Sequence, residues 1–150
     1  MQAYRIWKAT QSDADVVRTF YNKHKNTISN QRKINQFLDG TTEIDLLFIS
    51  KVRDNGDLGV PFAGCSVSYL YLNGIKYGSC NSGVVNICMR RKGVSKVLYR
   101  ACEVMFRSYG CEKVIKMRNI FQKHINLEKL AKQNWKITVE GSMVIMEKDL

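Results

Sequence analysis

Proline, histidine and acid are scarce in this 150-residue chain, which has one Pro, two His and 13 Asp+Glu against 24 Lys+Arg. Each scarcity excludes something. With one proline and no Ser/Gly/Pro-rich stretch there is no flexible linker, so a single domain over residues 1–150 is expected. No apolar run approaches the roughly 20 residues that cross a bilayer. The opening Met1-Gln2-Ala3-Tyr4-Arg5 lacks the apolar core of a signal peptide, so a cytoplasmic protein without a membrane partner is expected. The cysteines, Cys65, Cys80, Cys88, Cys102 and Cys111, form no C-x-x-C pair, and His24 and His124 lie far from them in sequence. That pattern argues for reduced thiols rather than a disulfide framework, and no metal site is expected.

Positive charge is present in excess. A formal net charge of +11 points to an acidic partner, and nucleic acid, a polyphosphate or an acidic protein surface would each benefit from that field. A hydrophobic share of 45% with 25% charged residues is that of an ordered globular chain.

Periodicity and turn chemistry predict a strand over 4–9, then a helix capped by Ser12 with Asp15 three residues on. Val16, Val17, Phe20 and Tyr21 share one face of that helix, and His24, one turn further, reads as a half-buried helix residue. A short helix over 31–38 stops at Asp39-Gly40. Strands follow over 44–52 and 62–72, and Asn73-Gly74 is a strong hairpin signal. A strand through 84–87 leads into a basic turn, then a helix over 94–109 ends at Gly110. A strand over 113–117, a helix over 120–133 and a hairpin over 135–139 and 143–147 complete the chain. The order predicts an α/β fold with a mixed sheet.

The basic turn carries the most chemistry. Arg90, Gly93 and Ser95 space as R-x-x-G-x-S between an apolar strand and a helix whose apolar positions Val97, Leu98, Ala101 and Met105 recur at helical intervals. Backbone N–H groups at a helix start have no intrahelical partner and bind anions. Gly93 lets the main chain approach a phosphate, and Arg90, Arg91 and Lys92 add charge-assisted contacts.

With this element order, R-x-x-G-x-S resembles the Q/R-x-x-G-x-G/A motif of the GNAT superfamily of N-acyltransferases, and Val85 stands where members often keep a valine. The resemblance implies a mixed, mostly antiparallel central sheet flanked by helices, with splayed central strands. It implies acetyl-CoA as acyl donor, its pyrophosphate held by Arg91, Lys92, Gly93, Val94, Ser95 and Lys96 together with Arg90. It also implies a thioester carbonyl polarised near Ile87 or Cys88, direct attack by an amine acceptor and a tetrahedral intermediate. The excess positive charge points to an acceptor that is acidic or attached to nucleic acid, a small amine or an antibiotic being the open alternative, and an oligomer is compatible with this reading. The family's usual general-acid tyrosine has no counterpart, because counting back from Trp135 reaches Leu130 and no tyrosine follows Tyr109. His124 is the substitute acid, and Asp45, with Glu43 beside it, the candidate base. Two other classes remain open: a catalytically degenerate domain of this fold acting as a binding or structural protein, and a nucleic-acid binder stacking bases on Tyr69, Tyr71 and Tyr77.

Overall fold

The computed structural model describes residues 3–24, 28–40, 44–119 and 127–150. Its elements are β1 (Tyr4–Lys8), α1 (Ala14–Lys23), α2 (Ile28–Asp39), β2 (Ile44–Lys51), β3 (Ala63–Leu72), β4 (Ile75–Val85), α3 (Val94–Ser108), β5 (Lys113–Asn119), α4 (Leu127–Lys132), β6 (Lys136–Glu140) and β7 (Met143–Asp149). Hydrogen bonding orders the strands β1-β2-β3-β4-β5-β7-β6. β1–β2, β2–β3, β5–β7 and β6–β7 pair antiparallel, whereas β4–β5 is parallel. This is the mixed, mostly antiparallel architecture expected. No helix among the described residues is long and apolar enough to cross a membrane.

The chain divides into two compact units, one of Met1–Ser68 with Cys80–Cys102 and one of Tyr69–Ser79 with Glu103–Leu150. The core of the first is a cluster of Val17, Phe20 and Tyr21 from α1, Ile34 and Phe37 from α2, Leu46 and Phe48 from β2, and Val84 from β4. Val17, Phe20 and Tyr21 fall on one helical face, so burying that stripe docks α1. β2 is buried from Leu46 to Ser50, as a strand with neighbours on both edges is. The polar Ser50 is tolerated there because its hydroxyl accepts the Trp7 indole N–H at 3.0 Å.

In the second unit β5 pairs with β4 through Tyr77↔Lys113 and Gly78↔Val114. That ladder is short, as splayed central strands require. On the other side β5 pairs with β7 from Lys113 to Asn119. Phe106 is fully buried over Gly78, and Tyr69 meets its ring edge-on with centroids 6.2 Å apart. Trp135 is buried with the Lys116 ammonium 4.9 Å from its ring.

Several boundaries differ from the sequence reading for identifiable reasons. The capping pair is Thr10 and Asp13, not Ser12 and Asp15. The Asp13 carboxylate accepts the Thr10 N–H at 2.8 Å, the Ser12 hydroxyl is engaged by Thr10 Oγ1, and Asp15 pairs with Arg18. The strand expected through 84–87 ends at Val85, where the Asn86 side chain accepts the Cys88 N–H and turns Ile87–Met89 into a 3-10 segment. The first half of the helix expected over 120–133 lies outside the described residues, as do His124 and Glu43, and the second half contains α4. Of the three tyrosines considered for stacking, Tyr77 is buried and its hydroxyl donates to Glu147, and Tyr69 packs on Phe106 and Tyr109; Tyr71 is exposed.

Candidate functional site

A cavity of about 640 Å³ opens in the first unit, within the usual size of ligand pockets. One wall is the end of β4, through Gly83, Val84 and Val85. The turn and first half of α3 supply Arg90, Ser95, Leu98 and Tyr99. The end of α1 supplies Lys23 and His24, and Cys65 and Cys80 complete the lining.

β4 is irregular there. The two-residue Asn73-Gly74 turn joins Leu72 to Ile75, yet Asn86 N–H donates to Phe62 O at 2.7 Å, so β4 holds one residue more than β3 over that span. That is the count of a bulge, a device that re-aims a strand beside a site. The side chain of Arg90 then folds back, its Nε donating to Val85 O at 3.1 Å, which ties the start of the turn to the end of the strand.

The turn itself has left-handed backbone twice, at Arg91 (φ 61°) and Gly93 (φ 78°). For Gly93 this conformation carries no steric cost; Arg91 bears one on the order of 1–2 kcal/mol. Backbone that passes between right- and left-handed regions turns successive N–H groups into an anion-binding concavity. α3 begins immediately after, and its first backbone closure is Val97 N–H to Gly93 O at 3.2 Å. The N–H groups of Val94, Ser95 and Lys96 therefore have no acceptor within the helix. Gly93 has nothing within 4 Å of the position a Cβ would take, so space is open beside it.

Three basic side chains meet at this cavity. Burial, then the cations of Lys23 and Arg90, hold the His24 imidazole below its ordinary range. At neutral pH His24 is uncharged between two cations, an arrangement that an anion would relieve.

The cavity brings together Val85, Arg90 and Ser95 of the residues expected from sequence. Arg91, Lys92, Gly93 and Lys96 are exposed on the turn and helix start, and Val94 is half-buried. Ile87 is 77% exposed, and Cys88 is exposed with its N–H already donated to Asn86 Oδ1 at 3.4 Å. Asp45 is half-buried at the start of β2, opposite Val67, and is not part of the lining. Lys23, His24, Gly83, Cys65 and Cys80 were not anticipated. An isolated Gly in a strand pattern is a bulge signal and would have singled out Gly83; nothing local marks the other four.

No protein-family model matches the sequence, and no curated protein matches it. Solved structures do. A putative acetyltransferase of the GNAT family from Desulfovibrio desulfuricans superposes with a TM-score of 0.67 at 11% identity, over 98% of this chain and 99% of that one. The PaiA N-acetyltransferase of Thermoplasma acidophilum, solved in complex with coenzyme A, gives 0.59 at 14% identity over 99% of each chain. A GCN5-related glucosamine N-acetyltransferase region of a fungal multi-domain GH3 beta-N-acetylglucosaminidase gives 0.63 at 14% identity, over 93% of this chain. The match spans 18% of that fungal chain's length. At these identities the likeness is one of fold.

Proposed function

The chain has the fold of the GNAT acetyltransferases, and from that premise we propose that it transfers an acetyl group from acetyl-CoA to an amine acceptor. The observation that carries this reading is the meeting at one cavity of a bulged strand end and, through Arg90 and Ser95, of a turn with left-handed backbone at Arg91 and Gly93 that leads into the open start of α3. A pyrophosphate on the N–H groups of Val94, Ser95 and Lys96 would be neutralised by Arg90 and Lys23, both on the cavity wall. Acetyl-CoA supplies a thioester whose carbonyl carbon is open to attack by an amine and whose thiol departs.

The protein's own contribution is position and charge. Val84 and Val85 line the cavity at the end of β4, and a main-chain N–H directed into it there would stabilise an oxyanion. A departing thiolate has a pKa near 8.5, so water can protonate it without a dedicated side-chain acid. The surplus of 24 basic over 13 acidic residues supports an acceptor that is acidic or attached to nucleic acid.

Thermal unfolding with and without acetyl-CoA or CoA tests the reading. Ligand at 100 times its dissociation constant stabilises the native state by about 2.7 kcal/mol. A clear upward shift followed by release of free thiol in the presence of an amine panel is the expected outcome. Binding without turnover assigns a binding protein of the same fold, and no shift at millimolar ligand removes the proposal.

His24 adds a pH signature. An anion seated between Lys23 and Arg90 offsets the cations that lower the imidazole's pKa, so binding raises it and takes up a proton. Affinity for CoA is expected to rise as pH falls below neutrality more steeply than in His24→Gln. Parallel profiles for the two proteins would place the phosphates away from this histidine.

A further inference from the structure

Sequence spacing separates Cys65, Cys80 and Cys102, but β3, β4 and α3 bring them to one point. The Sγ of Cys102 lies 3.4 Å from that of Cys65 and 3.3 Å from that of Cys80. All three sulfurs lie within 4.8 Å of one another, and none is in a disulfide. Cysteines acting as small apolar residues have no need to aim their sulfurs at each other.

We propose that Cys65, Cys80 and Cys102 form a site for a thiophilic cation of the Zn(II) or Cu(I) type on the inner wall of the cavity. Metal–sulfur bonds of about 2.3 Å place three thiolates about 3.8–4.0 Å apart; the two contacts of Cys102 are about half an ångström shorter, and all three sulfurs lie within 4.8 Å of one another. Small side-chain rotations therefore convert the cluster into a ligand triangle. Soft thiolates select such cations over Mg(II) or Ca(II).

Two further observations favour the site. Cys65 and Cys80 line the cavity, which gives a cation a path inward. Beside them the Tyr21 hydroxyl is buried with no hydrogen-bond partner among the described residues. Cys65 and Cys80 lie within its electrostatic reach and, after burial, raise the pKa of the phenol. Thiolates held by a cation would give that O–H an acceptor.

Binding exchanges protons for metal and involves no oxidation. The Cys65 thiol is pushed far above its ordinary range by its hydrogen bonds to Cys102 and Cys80 and then by burial, so it is protonated in the metal-free protein. Each S–H releases its proton to solvent as its sulfur ligates the cation. Lys23 and Arg90 line the same cavity and would offset part of the surplus negative charge of three thiolates on one cation.

Cd(II) is the probe, titrated into reduced, metal-free protein in a Cys88→Ser background, because Cys88 is exposed and would bind it adventitiously. The expected result is one Cd(II) per chain, a thiolate-to-cadmium charge-transfer band and release of one proton per ligating cysteine. Cys102→Ser and Cys80→Ser should each weaken binding at least roughly tenfold. Circular dichroism checks that each variant folds; Cys80 is partly exposed, so its variant serves if Cys102→Ser does not fold. No band in the parent, or an undiminished band in a folded variant, overturns the site. Neither outcome bears on acetyl-CoA, which is read separately.

Discussion

Gly93→Asp abolishes the stabilisation of the protein by CoA while leaving the protein folded: the increment of about 2.7 kcal/mol at 100 times the wild-type dissociation constant falls to the baseline. Two effects combine at this position. With φ at 78°, any side chain bears left-handed strain on the order of 1–2 kcal/mol. The carboxylate also introduces negative charge where α3 presents its unpaired N–H groups, so it competes for them and repels a phosphate. Gly93→Ala separates the two, because it shares the strain, meets nothing within 4 Å, and adds no charge. Calorimetric titration of both variants should show Ala binding CoA and Asp not binding it. Retention of affinity by Gly93→Asp would move the anion site from the turn to the Arg90 and Lys23 wall.

The largest loss of stability is expected from Gly78→Ala. A Cβ there would overlap Cγ, Cδ1 and Cε1 of Phe106, a fully buried ring. Cγ is fixed by the helix that carries it, so the ring cannot rotate out of the way, and either α3 or β4 must move. Gly78 also belongs to the short ladder between β4 and β5, opposite Val114, which ties the strand in place. Overpacking of this kind costs about 3 kcal/mol or more. For a chain of this size that lowers the unfolding midpoint by roughly 6–12 °C. Gly78→Ala should cost less in a Phe106→Ala background, where Cγ, Cδ1 and Cε1 are all absent. A wild-type midpoint for Gly78→Ala alone would show that the strand and helix are not held against each other.

Most of the element order was legible because it rests on local chemistry. Asn73-Gly74 adopts positive φ at both residues, as a tight hairpin requires, and Gly110 does so just after α3. Val17, Phe20 and Tyr21 form the buried stripe that their spacing predicts. Reading was less accurate where side chains compete for one backbone group. Thr10 and Ser12 both have capping chemistry, and only the hydrogen bonds decide between them. Asn86 outcompetes the strand ladder in the same way. Arg90, Gly93 and Ser95 were legible as a motif because a basic residue, a permissive backbone and a small residue stand close together in sequence. His24 was not, because its place depends on where α1 ends relative to a turn 66 residues later.

By itself the sequence determined the positive field, most of the strand and helix order and the basic, glycine-containing turn before α3, all properties of composition or of neighbours within a few residues. Tertiary structure alone decided that Lys23 and His24 share a cavity with Arg90. It also decided that Cys65, Cys80 and Cys102 meet. The physical reason is that such constellations form when sheet register and helix docking bring distant residues together, and no local pattern carries a trace of either.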